Sequence, residues 1–93
     1  MIEKRVMVVN RLGLHARAAA KLVRAAGAFQ SVVRLERCDG GQSADAKSIL
    51  SVLMLAASRG TELRVTAEGA DELGALEAVC ALVEGGFGEG VEA

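Results

Sequence analysis

Residues 5–27, RVMVVNRLGLHARAAAKLVRAAG, change their hydrophobic period midway, and that change sets the architecture. Arg5 to Val9 is short, apolar and rich in β-branched side chains, the composition of a strand. Asn10 to His15 breaks the run with a loop containing Gly13. From Ala16 onward the period is helical: Ala19, Leu22, Val23 and Ala26 recur at i, i+3, i+4 and i+7 and share one apolar face. Arg17, Lys21 and Arg24 fall on another face, toward solvent, and Gly27 is placed to stop the helix. An amphipathic helix reached from a strand through so short a loop needs a layer to receive its apolar face.

Downstream, the same two periods alternate. Ser31 to Glu36 reads as a second strand, and Asp39-Gly40 or Gly40-Gly41 as a hairpin turn leading to a short third strand at about Gln42 to Ala44. Ser48 to Leu55 is too long for a comfortable strand. Its Ile49, Leu50, Leu53 and Met54 recur at helical spacing, with Asp45 or Ser48 available as the cap. Thr61 to Ala67 alternates cleanly, so Leu63, Val65 and Ala67 face inward from a half-buried strand. Asp71 then caps a last helix with the stripe Leu73, Leu76, Cys80 and Val83. Residues 85–93 hold four glycines in nine positions and read as a loose tail. The order βαββαβα describes an α+β domain spanning residues 1–93, a four-stranded sheet covered on one side by three helices.

Composition narrows the function. The 93 residues suffice for one domain, and a 52% hydrophobic content builds its core without metal or disulfide staples. Two Phe and no Tyr or Trp leave little to stack on nucleic-acid bases. Cys38 and Cys80 lack CxxC spacing, and with His15 the only histidine no zinc site of familiar spacing is available. Neither a disulfide nor a cofactor is expected. The amino terminus enters a strand directly, so no signal peptide is expected, and no apolar run is long enough to span a bilayer. A cytoplasmic monomer is the default. Charge is uneven: residues 1–37 hold eight cations against two acids, residues 38–93 three against ten. A basic half suits an acidic partner surface, a phosphate or a nucleic acid, and equally a mixed solvated surface.

His15 stands where the glycine-containing loop meets the start of a helix. The first helical turn leaves backbone N–H groups without partners, and the aligned peptide dipoles add positive potential, so anions are favoured there. Arg17 adds a guanidinium suited to phosphate oxygens. A phosphoryl group on the imidazole would meet both. The residues alone also allow His15 to be a helix-start residue with no chemistry.

The segment Val8 to Val23, VVNRLGLHARAAAKLV, resembles the active-site segment of HPr, the histidine phosphocarrier family of the bacterial phosphotransferase system. The similarity continues through Ala46 to Leu55, Gly60 to Gly69 and the final helix. The resemblance implies an open-faced sandwich of four antiparallel strands and three helices. It also implies a phosphohistidine carrier rather than a free-standing enzyme. Enzyme I, charged by phosphoenolpyruvate, would phosphorylate the histidine Nδ1, and an enzyme IIA protein would take the group. By position, His15 is then the acceptor and donor, Arg17 contacts the phosphate, and the amides of Ala16 and Arg17 help to hold it. Lys21, Arg24 and Ile49 match partner-binding positions. Ser48 matches the serine modified by a dedicated kinase in many members. A phosphate there would be tolerated at a helix start but would place negative charge at a docking surface.

One departure matters. The family motif carries proline where Ala18 stands. Proline fixes φ in a first turn, so alanine costs about 0.4–1 kcal/mol of pre-organisation while still allowing the helix. The segments NRLG, SVLML and GGFGE resemble the nitrogen-related carriers somewhat more than the sugar-transport ones. Two other functions compete. One is a regulatory module docking through the basic helix and the Ser48 patch. The other is a small nucleic-acid-binding domain, against which the missing aromatics and the calculated pI of 5.8 count.

Overall fold

The change of period at His15 is realised as a strand, β1 (Ile2–Met7), followed by a helix, α1 (Ala16–Gly27). The structure is a computed structural model and describes residues 1–89. The chain continues through β2 (Val32–Arg37), β3 (Ser43–Asp45), α2 (Ile49–Met54), β4 (Glu62–Glu68) and α3 (Glu72–Glu84). A short 3₁₀ turn, Gly86–Gly88, follows α3.

The four strands form one antiparallel sheet in the order β1-β4-β2-β3. In its register Val6 lies opposite Leu63, Leu35 opposite Val65, and Val33 opposite Ala67. These residues are buried, and so is Ala44 opposite Leu35 on the short edge strand. They form the inward face on which the helices lie. The other face carries Glu3, Arg5, Arg34, Glu36, Glu62 and Arg64, so alternation along each strand separates core from water. From the helices, Ala19, Leu22 and Ala26 of α1 complete the core together with Val52 of α2 and Val79 and Val83 of α3.

The element order follows the sequence reading, with three local differences. Strand β1 begins at Ile2, three residues before the β-branched run, because Lys4 and Arg5 occupy ordinary ladder positions opposite Val65 and Arg64. In α2 the stripe Ile49, Leu50 and Met54 faces solvent, and Val52 and Leu55 are buried instead. Nearly every α2 residue is apolar, so periodicity finds the helix without selecting its inner face. In α3, Leu73 is 62% exposed, and the small residue Ala75 takes an inward position beside Leu76, Val79, Cys80 and Val83.

Two further expectations also change. Asp71 precedes α3, but its carboxylate makes no side-chain cap to that helix. It accepts from the Gln30 and Ser31 amides, each at 2.9 Å, and from the Ser31 hydroxyl, tying the start of α3 to the approach to β2. These donors, the Ser31 hydroxyl first, hold the Asp71 carboxyl below its ordinary pKa. The start of the glycine-rich tail is docked. Phe87 has φ +58° and is 1% exposed, and Lys21 Nζ donates to its carbonyl at 2.7 Å. One buried aromatic outweighs the loosening effect of its glycine neighbours. The rest of the expected loose tail, residues 90–93, lies outside the described residues.

Candidate functional site

The loop from Val8 to Leu14 is built to deliver His15. Val8 extends the sheet past β1, donating to the Thr61 carbonyl at 2.9 Å and accepting from the Gly60 amide at 2.8 Å. The chain then turns, with the Gly13 amide donating to the Asn10 carbonyl at 3.1 Å. Gly13 has φ +66°, and a Cβ there would sit 2.5 Å from the Ala57 carbonyl oxygen. Only glycine meets both conditions without strain. The Leu14 amide donates to that same carbonyl at 2.9 Å, and the Leu14 side chain is buried. His15 is thereby set at the N-cap of α1 with extended backbone (φ −72°, ψ 177°). Its carbonyl accepts from the Ala19 amide at 2.8 Å, while its side chain makes no cap to the helix.

The imidazole is consequently free for other partners. His15, Ala16, Arg17 and Lys21 line an open depression of about 550 Å³ together with Leu12, Gly88 and Glu89. The first turn of α1 contains no acidic side chain to compete for an incoming anion. Arg17 is exposed on this rim and forms no ion pair among the described residues. Lys21 does not point freely to solvent, because its ammonium is spent on the Phe87 carbonyl. Arg24 is exposed, in the last turn of α1. Ala18 is helical and fully buried, so the departure from proline leaves the helix start in place.

Opposite the helix end stands a group that the sequence reading passed over. Glu89 Oε2 contacts His15 Nε2, and Glu89 Oε1 accepts from Asn10 Nδ2 at 3.0 Å. Asn10 is buried and also donates to the Gly13 carbonyl at 2.8 Å. The Asn10 amide foremost, and then His15, hold the Glu89 carboxyl below its ordinary pKa. Two signals for this were present in the sequence: a polar residue ending an apolar strand, and a lone Phe among glycines.

Ser48 does not line this depression. It is the N-cap of α2, its hydroxyl accepting from the Ser51 amide at 3.4 Å. Asp45, the alternative cap, instead accepts from the Lys47 amide at 2.9 Å. Beside Ser48, the exposed Ile49, Leu50 and Met54 make an apolar surface on α2. Two cations of the basic half are neutralised by ion pairs, Lys4 with Glu84 and Arg37 with Asp39. This weakens the case for a nucleic-acid surface. Both cysteines are free, Cys38 exposed and Cys80 buried. Burial pushes the Cys80 thiol up to about 11. Among the described residues no group of three His, Cys, Asp or Glu side chains could hold a metal, and no helix is long and apolar enough to cross a membrane.

Comparison with known proteins gives consistent matches. The family profile described as "PTS HPr component phosphorylation site" matches residues 2–85. The chain is 46% identical over 90 residues to the phosphocarrier protein HPr of Cupriavidus necator, covering 97% of this chain and 99% of that one. It is 43% identical over 86 residues to the phosphocarrier protein NPr of Proteus mirabilis, covering 92% and 94%. The crystal structure of HPr-C-His from Thermoanaerobacter tengcongensis superposes with a TM-score of 0.90 at 38% identity, covering 97% of this chain and 99% of the other.

Proposed function

The chain belongs to the HPr phosphocarrier family of the phosphotransferase system, and from that premise we propose that His15 is the residue that accepts and donates the phosphoryl group. The observation that carries this reading is the placement of the imidazole at the N-cap of α1, on one depression with Arg17. A phosphoryl group on His15 brings negative charge to the helix end, where the Ala16 and Arg17 amides have no intrahelical acceptor. The Arg17 guanidinium supplies a charged donor beside it. The depression is open, so a partner protein can present or remove the group in line with the ring. One copy of the chain carries every group of this site.

The family's partners are enzyme I as donor and an enzyme IIA protein as acceptor. In this reading they share one docking surface, the basic end of α1 at Arg24 together with the apolar α2 surface at Ile49. Lys21 contributes by fixing the tail rather than by meeting the partner. Relatives named HPr and a relative named NPr both match almost end to end, so sugar uptake or nitrogen-related regulation is selected by which enzyme IIA that surface accepts. The work of the carrier is cytoplasmic. Ser48 is the regulatory position: a kinase-added phosphate would consume the α2 cap and put charge beside Ile49 and Leu50.

Incubation with enzyme I and phosphoenolpyruvate tests the reading by intact mass. One acid-labile phosphoryl adduct is expected, lost again when an enzyme IIA protein is added. Absence of any adduct refutes it. Kinase label that persists in Ser48→Ala would refute the regulatory assignment.

A further inference from the structure

The matched family region ends at residue 85, yet the only carboxylate lining the His15 depression among the described residues belongs to Glu89, four residues beyond it. Its placement is over-determined. Phe87 is fully buried and anchors the segment, Lys21 Nζ holds the Phe87 carbonyl at 2.7 Å, and Asn10 Nδ2 holds Glu89 Oε1 at 3.0 Å. Asn10 is itself fixed to the Gly13 carbonyl in the loop that delivers the histidine. The second carboxylate oxygen, Oε2, then has His15 Nε2 as its partner. Exposed ion pairs contribute little because both side chains must be ordered to meet. Here the Glu89 side chain is 12% exposed and already held, and that of His15 is 25% exposed.

We propose that Glu89 is a positioning residue for His15, holding the proton on Nε2 so that Nδ1 keeps the free lone pair. The proposal rests on His15 being the phosphoryl acceptor. A carboxylate can only accept, and a neutral imidazole has one N–H, so the contact selects the Nε2–H tautomer. The same logic governs carboxylate–histidine pairs at metal and triad sites, where the second nitrogen's partner sets the tautomer.

The consequence for transfer follows atom by atom. The Nδ1 lone pair attacks the phosphorus carried by enzyme I. A new N–P bond forms as the bond from phosphorus to the donor breaks, and the electrons of that bond stay with the donor. Nε2 keeps its proton, so the phosphorylated ring carries a positive charge, and that charge faces Glu89. On onward transfer the N–P electrons return to Nδ1 and the ring leaves as neutral imidazole, again with its Nε2 proton. No proton crosses the ring in either direction.

The test compares the full chain with Glu89→Ala and Glu89→Gln. One readout is the ¹⁵N shifts of the His15 ring; the other is the phosphorylation kinetics with enzyme I and phosphoenolpyruvate. The native ring is expected as the Nε2–H tautomer, with a mixture in Glu89→Ala. The rate constant for phosphorylation should fall about tenfold in that variant, the scale of one charge-assisted hydrogen bond, with KM for enzyme I unchanged. Glu89→Gln, whose amide oxygen still accepts but carries no charge, should fall between the two. An unchanged tautomer, or an unchanged rate in Glu89→Ala, overturns the proposal while leaving the His15 adduct in place. A native protein that takes no phosphoryl group would overturn the reading of His15 itself.

Discussion

Gly13→Ala is the substitution for which the structure gives the most definite cost. Two penalties arise together. The backbone at φ +66° is left-handed, which costs a residue bearing a Cβ about 1–2 kcal/mol. The new Cβ would also lie 2.5 Å from the Ala57 carbonyl oxygen and 2.8 Å from Ser58 Cα, both backbone atoms with no rotamer to escape into. Relief requires the loop to move away from Ala57, which loosens the Leu14 hydrogen bond to that carbonyl at a further cost of about 0.5–1.5 kcal/mol. The total is about 1.5–3.5 kcal/mol, and for a domain of this size the melting temperature should fall by roughly 6–28 °C. Urea unfolding followed by circular dichroism measures the free energy, with an unchanged m-value confirming that the denatured state is the same. Gly27→Ala is the matched control. Nothing lies within 4 Å of a Cβ there, its φ is ordinary, and it sits at the end of α1, so stability should rise by up to about 0.5–1 kcal/mol. A cost below about 0.5 kcal/mol for Gly13→Ala, or equal effects of the two substitutions, would refute the close approach of Gly13 to Ala57. Because the moved loop carries His15, phosphorylation of Gly13→Ala by enzyme I should also slow.

Restoring the family's proline with Ala18→Pro should raise stability by about 0.4–1 kcal/mol, since the first helical turn has no partner for the lost N–H; a fall in the urea midpoint would show that the turn is not built as described. Asp71→Asn should destabilise at neutral pH. The folded carboxyl is held below the ordinary value of 3.8, so its contribution is complete above that value and disappears as pH falls through the lowered one. The gap between variant and native urea midpoints should therefore close in acid, and a gap that persists there would contradict the role of the charge. A thiol reagent at mildly alkaline pH should label Cys38 rapidly and Cys80 only on unfolding, since burial pushes the Cys80 thiol up to about 11. Two fast equivalents would contradict the packing of α3.

What the sequence disclosed best was governed by period where apolar and polar residues alternate clearly. Strand alternation at Leu63, Val65 and Ala67 and the helical stripe at Ala19, Leu22 and Ala26 are local signals, and both are realised. The inner face of α2 was hidden because its apolar residues run around the helix. Ile49 and Leu50 look like core and are surface. The partner of Asp71 was hidden for a different reason: capping is a local rule, while the Ser31 and Gln30 amides come from forty residues earlier in the chain. At the site, His15 and Arg17 were legible because loop and helix start are contiguous. Glu89 lies 74 positions from His15, and glycine-rich composition suggested no fixed place for it. The burial of Phe87, with the hydrogen bonds from Lys21 and Asn10, supplies one.

Where the phosphoryl group is carried decides the function of this chain. The decisive measurement maps the label from enzyme I and phosphoenolpyruvate on the native chain and on His15→Ala, with circular dichroism confirming that both are folded. One equivalent on the peptide containing His15, and none on the variant, is the predicted result. Equal labelling of His15→Ala, or a label on any other residue, would contradict it.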